Sequence, residues 1–155
     1  MKIKSEHINE SNFNKYGKVV LFPKGEPTSK AIDYEFWSDI SNFSIQGETE
    51  IGICKVYKQP ESRISTMERH LNTQEILIPI DAPFKLPLML PEEEGGNNIK
   101  SFEVGLGEVV IIDKAVWHGA CIPVGKEESS YFVIFRRNTP KEDIEKKSIQ
   151  TIELV

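Results

Sequence analysis

Sulfur is scarce in this chain: two cysteines stand among 155 residues, Cys54 in "EIGICKVY" and Cys121 in "HGACIPV". Two thiols in apolar contexts make neither a disulfide scaffold nor a cysteine-rich zinc site, and they read as buried, reduced side chains. Long apolar runs are also missing. None approaches the ~20 residues that a membrane-spanning helix needs, so no membrane partner is expected. The opening "MKIKSEHINE" turns polar at once and has no apolar signal-peptide core, which gives the expectation of a cytoplasmic protein. Basic charge is in deficit: 19 Lys and Arg face 24 Asp and Glu, a net charge of -5 with no basic stripe, so no nucleic-acid partner is expected either. No repeat, heptad pattern or compositional break divides the sequence. Residues 1–155 are therefore read as a single domain, long enough to bury a core without disulfides or structural metals.

What is present favours strands. After a short helix expected from about Asn9 and stopped by Gly17, and an apolar run from Val19 to Phe22, comes the loop "PKGEPTSKA". Short segments with strand-like patterns follow: "YEFW", "IGICKVY", "RISTMERH", "EILIPI", "IKSFEV", "EVVIID", "YFVIFRR" and "SIQTIEL". The turn-forming stretches "QPES", "PEEEGGNN", "GLGE" and "PVGKEESS" separate them at intervals suited to an antiparallel barrel or sandwich. The fold class is mainly β, with "EILIPI", "EVVII" and "YFVIF" turned inward. "EEEGGNN" reads as a solvated hairpin tip, because the spaced oxygen ligands of a calcium loop are absent.

The stretch "STMERHLNTQEILIPID" sets Glu68, Arg69, His70, Gln74 and Glu75 at the start of an apolar strand. Charge there costs free energy unless it is solvated, paired or bound. Residues two apart on a strand share a face, so Glu68 and His70 point one way and Arg69 the other. A tight turn at "LNT" could bring the Gln74 amide beside the pair. A second apolar strand, "GEVVIIDKAVWHG", ends in Trp117 and His118. Glu68, His70 and Gln74 joined by a distant histidine suit a catalytic metal site with open positions. The competing reading is a partly exposed Glu68–Arg69 ion pair with two ordinary histidines. His7, near the N-terminus, reads as solvated, Trp37 as packed, and Trp117 and Phe135 as core or pocket wall.

The spacing Glu68-x-His70-x3-Gln74-Glu75 before "ILIPID", with Gly107 leading through "VVII" to Trp117-His118, resembles the two motifs of the cupin superfamily. There a His-x-His-x(3 or 4)-Glu motif and a later Gly…His motif place four metal ligands inside a small β-barrel, the double-stranded β-helix. In that register Glu68 stands at the first histidine, His70 at the second, Gln74 at the glutamate and His118 at the last histidine. Within the cupins, "ERHLNTQEILIP", "VWHG" and the early "FNKYGKVV" resemble the ureidoglycolate lyase family in the same order over most of the chain. Its enzymes split ureidoglycolate into glyoxylate and urea late in purine breakdown, a part of allantoin degradation. Departures are clear too. Ile111, Ile112 and Asp113 stand where an Asn-Tyr-His triplet is common, Gly119 stands where a second histidine is common, and the "HLNTQ" turn is one residue short.

The resemblance implies a small-molecule substrate and a divalent ion held by Glu68, His70, Gln74 and His118, with nickel, manganese, iron and zinc all suited to oxygen and nitrogen donors. Glu68, Lys114 and Arg137 are the candidate catalytic groups. Arg69, Trp117 and Glu75 are the candidates for touching substrate, Arg69 against the strand parity that turns it away from His70. Two alternatives stay open: a metal-dependent cupin acting on another small hydroxy acid or sugar, and a non-catalytic small-molecule-binding cupin. A homodimer is expected, paired across a two-fold through Ile149, Ile152 and Leu154.

Overall fold

Period-two alternation of apolar residues sets the architecture. The computed structural model describes residues 1–94 and 96–155. Its larger sheet runs in the order β1 (Lys2–Ile3), β15 (Glu145–Leu154), β7 (Arg63–Arg69), β12 (Trp117–His118), β9 (Phe84–Met89), β10 (Lys100–Val104) and β2 (Ser5–His7), with β13 (Ile122–Pro123) beside β9. The second sheet runs β3 (Gly17–Val20), β11 (Val109–Ile112), β8 (Glu75–Pro79), β14 (Glu128–Arg136) and β6 (Thr49–Tyr57). A separate hairpin joins β4 (Ser29–Ala31) to β5 (Tyr34–Phe36). Helix is confined, among the described residues, to α1 (Glu10–Phe13) and α2 (Thr139–Glu142), and no helix is long and apolar enough to cross a membrane.

The two sheets close on a core of Leu77, Phe84, Leu86, Leu88, Phe102 and Val110 with their neighbours. Each such side chain, taken fully out of water, contributes about 1.5–3 kcal/mol. On the far face of the larger sheet a second cluster gathers Ile64, Met67, Met89, Trp117, Ile152 and Leu154. Alternation along β9 feeds both, Leu86 and Leu88 into the first and Met89 into the second.

Helix α1 begins where expected: the Asn9 side chain caps it, its Oδ1 accepting from the backbone of Ser11 at 3.0 Å and Asn12 at 2.9 Å. It ends at Phe13, and Gly17 instead opens β3 with φ +146°, where a Cβ would fall 1.9 Å from the Ile111 carbonyl oxygen. Strand β9 went unanticipated because "FKLPLM" carries a proline, which lacks a ladder donor. Pro87 still takes part in the sheet through its carbonyl, which accepts from Gly119 N at 3.0 Å. The hairpin expected at "EEEGGNN" joins the antiparallel strands β9 and β10, and its Gly95 lies outside the described residues.

The C-terminal segment is used differently from the expectation. β15 pairs with β7 and with β1, and Ile152 and Leu154 are buried inside the protomer, so the strand is consumed internally and offers no apolar edge across a two-fold. Nor are the apolar strands of the second sheet wholly inward: alternation sends Phe132 of β14 and Ile51 and Ile53 of β6 to the outside.

Candidate metal and substrate site

One row of cross-strand neighbours defines the site. Glu68 of β7 lies opposite His118 of β12 on one side and opposite Lys146 of β15 on the other. Directly paired residues share a face, so all three turn toward the space between the sheets. His70, two residues beyond Glu68, follows the same parity. From the second sheet Glu75, first residue of β8, shares the inward face with Leu77. These side chains line a cavity of about 580 Å³ together with Cys54, Leu77, Cys121, Tyr131, Val133 and Phe135 among others.

The donors converge closely. His70 Nε2 and His118 Nε2 are 3.3 Å apart, and Glu75 Oε2 lies 3.5 Å from the first and 3.1 Å from the second. Donor atoms of Glu68, His70 and His118 all fall within 4.8 Å of one another, a group that could hold a metal ion. Glu75 Oε2 is buried and accepts no well-aligned hydrogen bond, although both imidazoles lie within 3.5 Å of it. Ligand bonds of ~2.0–2.1 Å at tetrahedral to octahedral angles put neighbouring donors ~2.9–3.4 Å apart, so the His70–His118 and Glu75–His118 spacings of 3.3 and 3.1 Å suit a divalent cation, with Glu75–His70 slightly wider at 3.5 Å.

The surroundings prepare the imidazoles. His70 Nδ1 donates to the Asp143 carbonyl at 2.7 Å, which leaves the Nε2 lone pair aimed at the cluster. The Asp143 carboxylate accepts from Leu71 N and Asn72 N, both at 2.9 Å, and so pins the turn that carries His70. Burial pushes the His70 pKa down, but the hydrogen bond and charge of Glu75, the Asp143 carbonyl and the Glu68 charge outweigh it and hold the group above its ordinary value. Burial likewise pushes Glu75 up, and there the His118 charge and the hydrogen bond and charge of His70 win, so its carboxyl sits below the ordinary range. Glu75 is thus held ionised in a buried position, the state a cation stabilises. Burial raises the Cys121 thiol and the Tyr131 phenol, which makes that wall neutral.

Several residues expected at the site lie elsewhere. Gln74 takes the outward face of β8's entry: its Oε1 accepts from Ser44 N at 2.9 Å and its Nε2 donates to Asp113 Oδ1 at 2.9 Å. The same alternation that brings Glu75 inward turns Gln74 out, so Glu75 stands where Gln74 was expected. Arg69 bonds Glu145 through Nε at 2.6 Å and lays its guanidinium 4.4 Å from the centre of the Trp117 ring. Trp117 packs in the cluster behind the larger sheet, facing away from His118. Arg137 is tied to Glu48 at 2.7 Å on the surface, and Lys114 is exposed beside a separate depression with Lys15 and Glu92. None of Gln74, Arg69, Trp117, Arg137 and Lys114 lines the cavity. Lys146, the one lysine or arginine among the described residues that does, and Asp143 went unforeseen, because both lie about 70 residues beyond the motif and return to it only as the chain leads into and along β15 beside β7.

A model of the ureidoglycolate lyase family matches residues 1–154. The chain belongs to this family. Glu68-x-His70-x4-Glu75 then keeps the spacing of the cupin motif with its acidic residue in place, and no short turn need be invoked. A dTDP-sugar isomerase from Desulfovibrio desulfuricans G20 superposes with a TM-score of 0.55 at 15% identity, over 86% of this chain and 85% of that one. A sugar 3,4-ketoisomerase from Thermoanaerobacterium thermosaccharolyticum, in complex with TDP, gives 0.46 at 16% identity over 84% and 83%. Against Lactobacillus farciminis oxalate decarboxylase the score is 0.46 at 13% identity, over 63% of this chain and only 26% of that longer one. A search of the curated proteins finds no match. The ureidoglycolate lyase family chain thus has the cupin fold: mainly β, barrel-like, with two short helices.

Gly119 is fixed by packing. A Cβ there would lie 2.7 Å from Pro87 Cγ and 2.9 Å from Ile64 Cδ1.

Proposed function

We propose that the chain is a metal-dependent lyase that splits ureidoglycolate into glyoxylate and urea. The observation that carries this reading is the grouping of Glu68, His70 and His118 donors within 4.8 Å of one another, with Glu75 3.1 Å from His118, on the wall of a cavity sized for a small molecule, in a member of the ureidoglycolate lyase family. A divalent ion held by these four residues would supply Lewis acidity, lowering the pKa of a substrate hydroxyl and offsetting carboxylate charge. Nickel, manganese, iron and zinc all suit such a donor set.

The substrate carbon bears a carboxylate, a hydroxyl and a urea nitrogen. Cleavage moves the hydroxyl proton to the departing nitrogen, the O–H pair becoming the new carbonyl bond as the C–N pair leaves with urea. Glu68, less buried than His70, Glu75 and His118, takes that proton on its free carboxylate oxygen and returns it to the nitrogen, so no net proton is consumed. Lys146, opposite Glu68 at the cavity wall, faces the substrate carboxylate in the role expected of an arginine. The apolar wall of Leu77, Val133 and Phe135 limits water around the reacting carbon. The active form is placed as a homodimer in the cytoplasm, a compartment that keeps Cys54 and Cys121 as the free thiols they are.

One observation favours a second reading, a metal-dependent cupin acting on another small hydroxy acid: among the described residues no arginine lines the cavity to grip a carboxylate in bidentate fashion. Metal-reconstituted protein mixed with ureidoglycolate decides between them. Urea and glyoxylate released in equal amounts, and lost with His118→Ala, support the lyase. Metal retained with no urea released refutes it in favour of the second reading, and no metal bound leaves only a binding protein.

A further inference from the structure

Paired residues of β6, β14 and β8 divide the cavity wall into rows. In the first row, at the metal end, Glu50 lies opposite Phe135, whose ring centre is 5.7 Å from that of His70. Gly52, Val133 and Leu77 follow one another across the second row, and Cys54 lies opposite Tyr131 in the third. All of them line the cavity. Alternate residues of a strand share a face about 6.6 Å apart, so the third row lies roughly 13 Å from the first. Polarity changes along that path. The first row adjoins the ionisable donors of the metal end, whereas the second and third present Leu77, Val133, Cys54 and Tyr131, with Cys121 against the Tyr131 hydroxyl. Burial raises both the Cys121 thiol and the Tyr131 phenol, so these groups stay neutral.

Gly52 keeps the path open. It stands in the middle of β6, where glycine weakens a strand and often marks the close approach of a ligand. Its backbone does not demand glycine, because its φ lies outside the positive region and a Cβ built there would meet no atom within 4 Å. Gly119, on the same cavity, is the contrast: packing against Pro87 and Ile64 excludes a side chain there. At Gly52 a side chain would enter empty cavity instead. The volume also exceeds what ureidoglycolate needs. Counted at the ~30 Å³ of liquid volume that a water molecule occupies for each non-hydrogen atom, that molecule fills roughly 270 Å³, under half of the cavity's 580 Å³.

We propose that the cavity has two subsites: the metal end, which takes a 2-hydroxy acid head, and an apolar limb opened by Gly52, which takes an unbranched tail of roughly six carbons on that head. An extended chain advances ~1.3 Å per carbon, so with its head on the metal a tail of that length ends between Cys54 and Tyr131. Head-group binding rests on the proposed metal centre of Glu68, His70, Glu75 and His118, whereas the limb is a property of Gly52 and the two apolar rows. The substrate class widens accordingly from ureidoglycolate to 2-hydroxy acids and hemiaminals with an apolar substituent.

Calorimetric titration of zinc-loaded protein with glycolate, 2-hydroxybutanoate, 2-hydroxyhexanoate and 2-hydroxyoctanoate tests the limb. Each buried methylene should tighten binding about fourfold, so 2-hydroxyoctanoate should bind on the order of 100-fold more tightly than 2-hydroxybutanoate. In Gly52→Leu, whose side chain occupies the path, the longer acids should bind no better than glycolate. Affinity independent of tail length in the parent, or a chain-length gain kept in Gly52→Leu, would overturn the limb. Titrations repeated on zinc-free protein read the metal centre separately. Glycolate binding that is the same with and without zinc counts against that centre, and the gain from 2-hydroxybutanoate to 2-hydroxyoctanoate still decides the limb. No binding of any of the four acids would overturn both. Should Gly52→Leu fail to fold, nuclear Overhauser contacts in the parent decide: the terminal methyl of 2-hydroxyoctanoate must lie against the Tyr131 ring, and contacts confined to other residues refute the assignment.

Discussion

Replacing Asp143 by Ala tests whether the site's geometry is set from outside the donor cluster. The carboxylate accepts two backbone hydrogen bonds at 2.9 Å, from Leu71 N and Asn72 N, immediately after His70. Charge-assisted bonds to a solvent-facing turn contribute about 1–1.5 kcal/mol each, so Asp143→Ala should lower folding stability by about 2–3 kcal/mol. The carbonyl that accepts from His70 Nδ1 remains, but its position depends on the clamped turn. Outer partners of histidine ligands typically alter metal affinity about 10- to 100-fold, or ~1.4–2.7 kcal/mol, and a loss of that size is expected here. Asp143→Asn, which keeps one acceptor oxygen, should fall between parent and Ala. Urea denaturation reads the first effect, and a metal titration in competition with a chromophoric chelator reads the second. Parent-like metal affinity in Asp143→Ala, despite the stability loss, would show that the turn does not orient His70.

Two further outcomes follow from the same geometry. Gly119→Ala should cost about 1–3 kcal/mol, because its Cβ would press on Pro87 and Ile64 at 2.7 and 2.9 Å, and a melting temperature equal to the parent's would contradict the packing argument. For metal-free protein, Glu75 is held below its ordinary pKa of 4.5, so its contribution is present above that value and is lost as pH falls through the lower folded value. His70 is held above 6.5, so its contribution is present below 6.5 and is lost as pH rises through the higher folded value. Metal-free stability should therefore peak between 4.5 and 6.5, and urea midpoints that climb steadily from acid to alkaline pH would refute the coupling.

Fold class was legible because alternation and turn residues survive in a single sequence: "IGICKVY", "EILIPI" and "YFVIFRR" became β6, β8 and β14. What was hidden depended on long-range pairing. Strand β9 was masked by Pro87, and the fate of the C-terminal strand could not be read locally, since its apolar residues suit an interface and a protomer core equally. At the site, Glu68, His70 and His118 were legible from parity and motif order, and the structure brings them together. The choice between Gln74 and Glu75 turned on a shift of one residue in a period-two pattern, which reverses every side chain after the turn. Arg69's outward direction followed from the same parity, and its stacking on Trp117 is the result. Asp143 and Lys146 carry no local signal, because only β15 folding back on β7 makes them neighbours of the motif.

Elemental analysis of protein purified without chelators, on the parent beside His118→Ala, Glu75→Gln and Gln74→Ala, tests the central claim most directly. One divalent ion per chain is expected in the parent and in Gln74→Ala, whose amide is engaged with Ser44 and Asp113, with severe loss in the other two. Absence of metal from the parent after reconstitution, or equal metal in all four proteins, would contradict a metal centre built on Glu68, His70, Glu75 and His118.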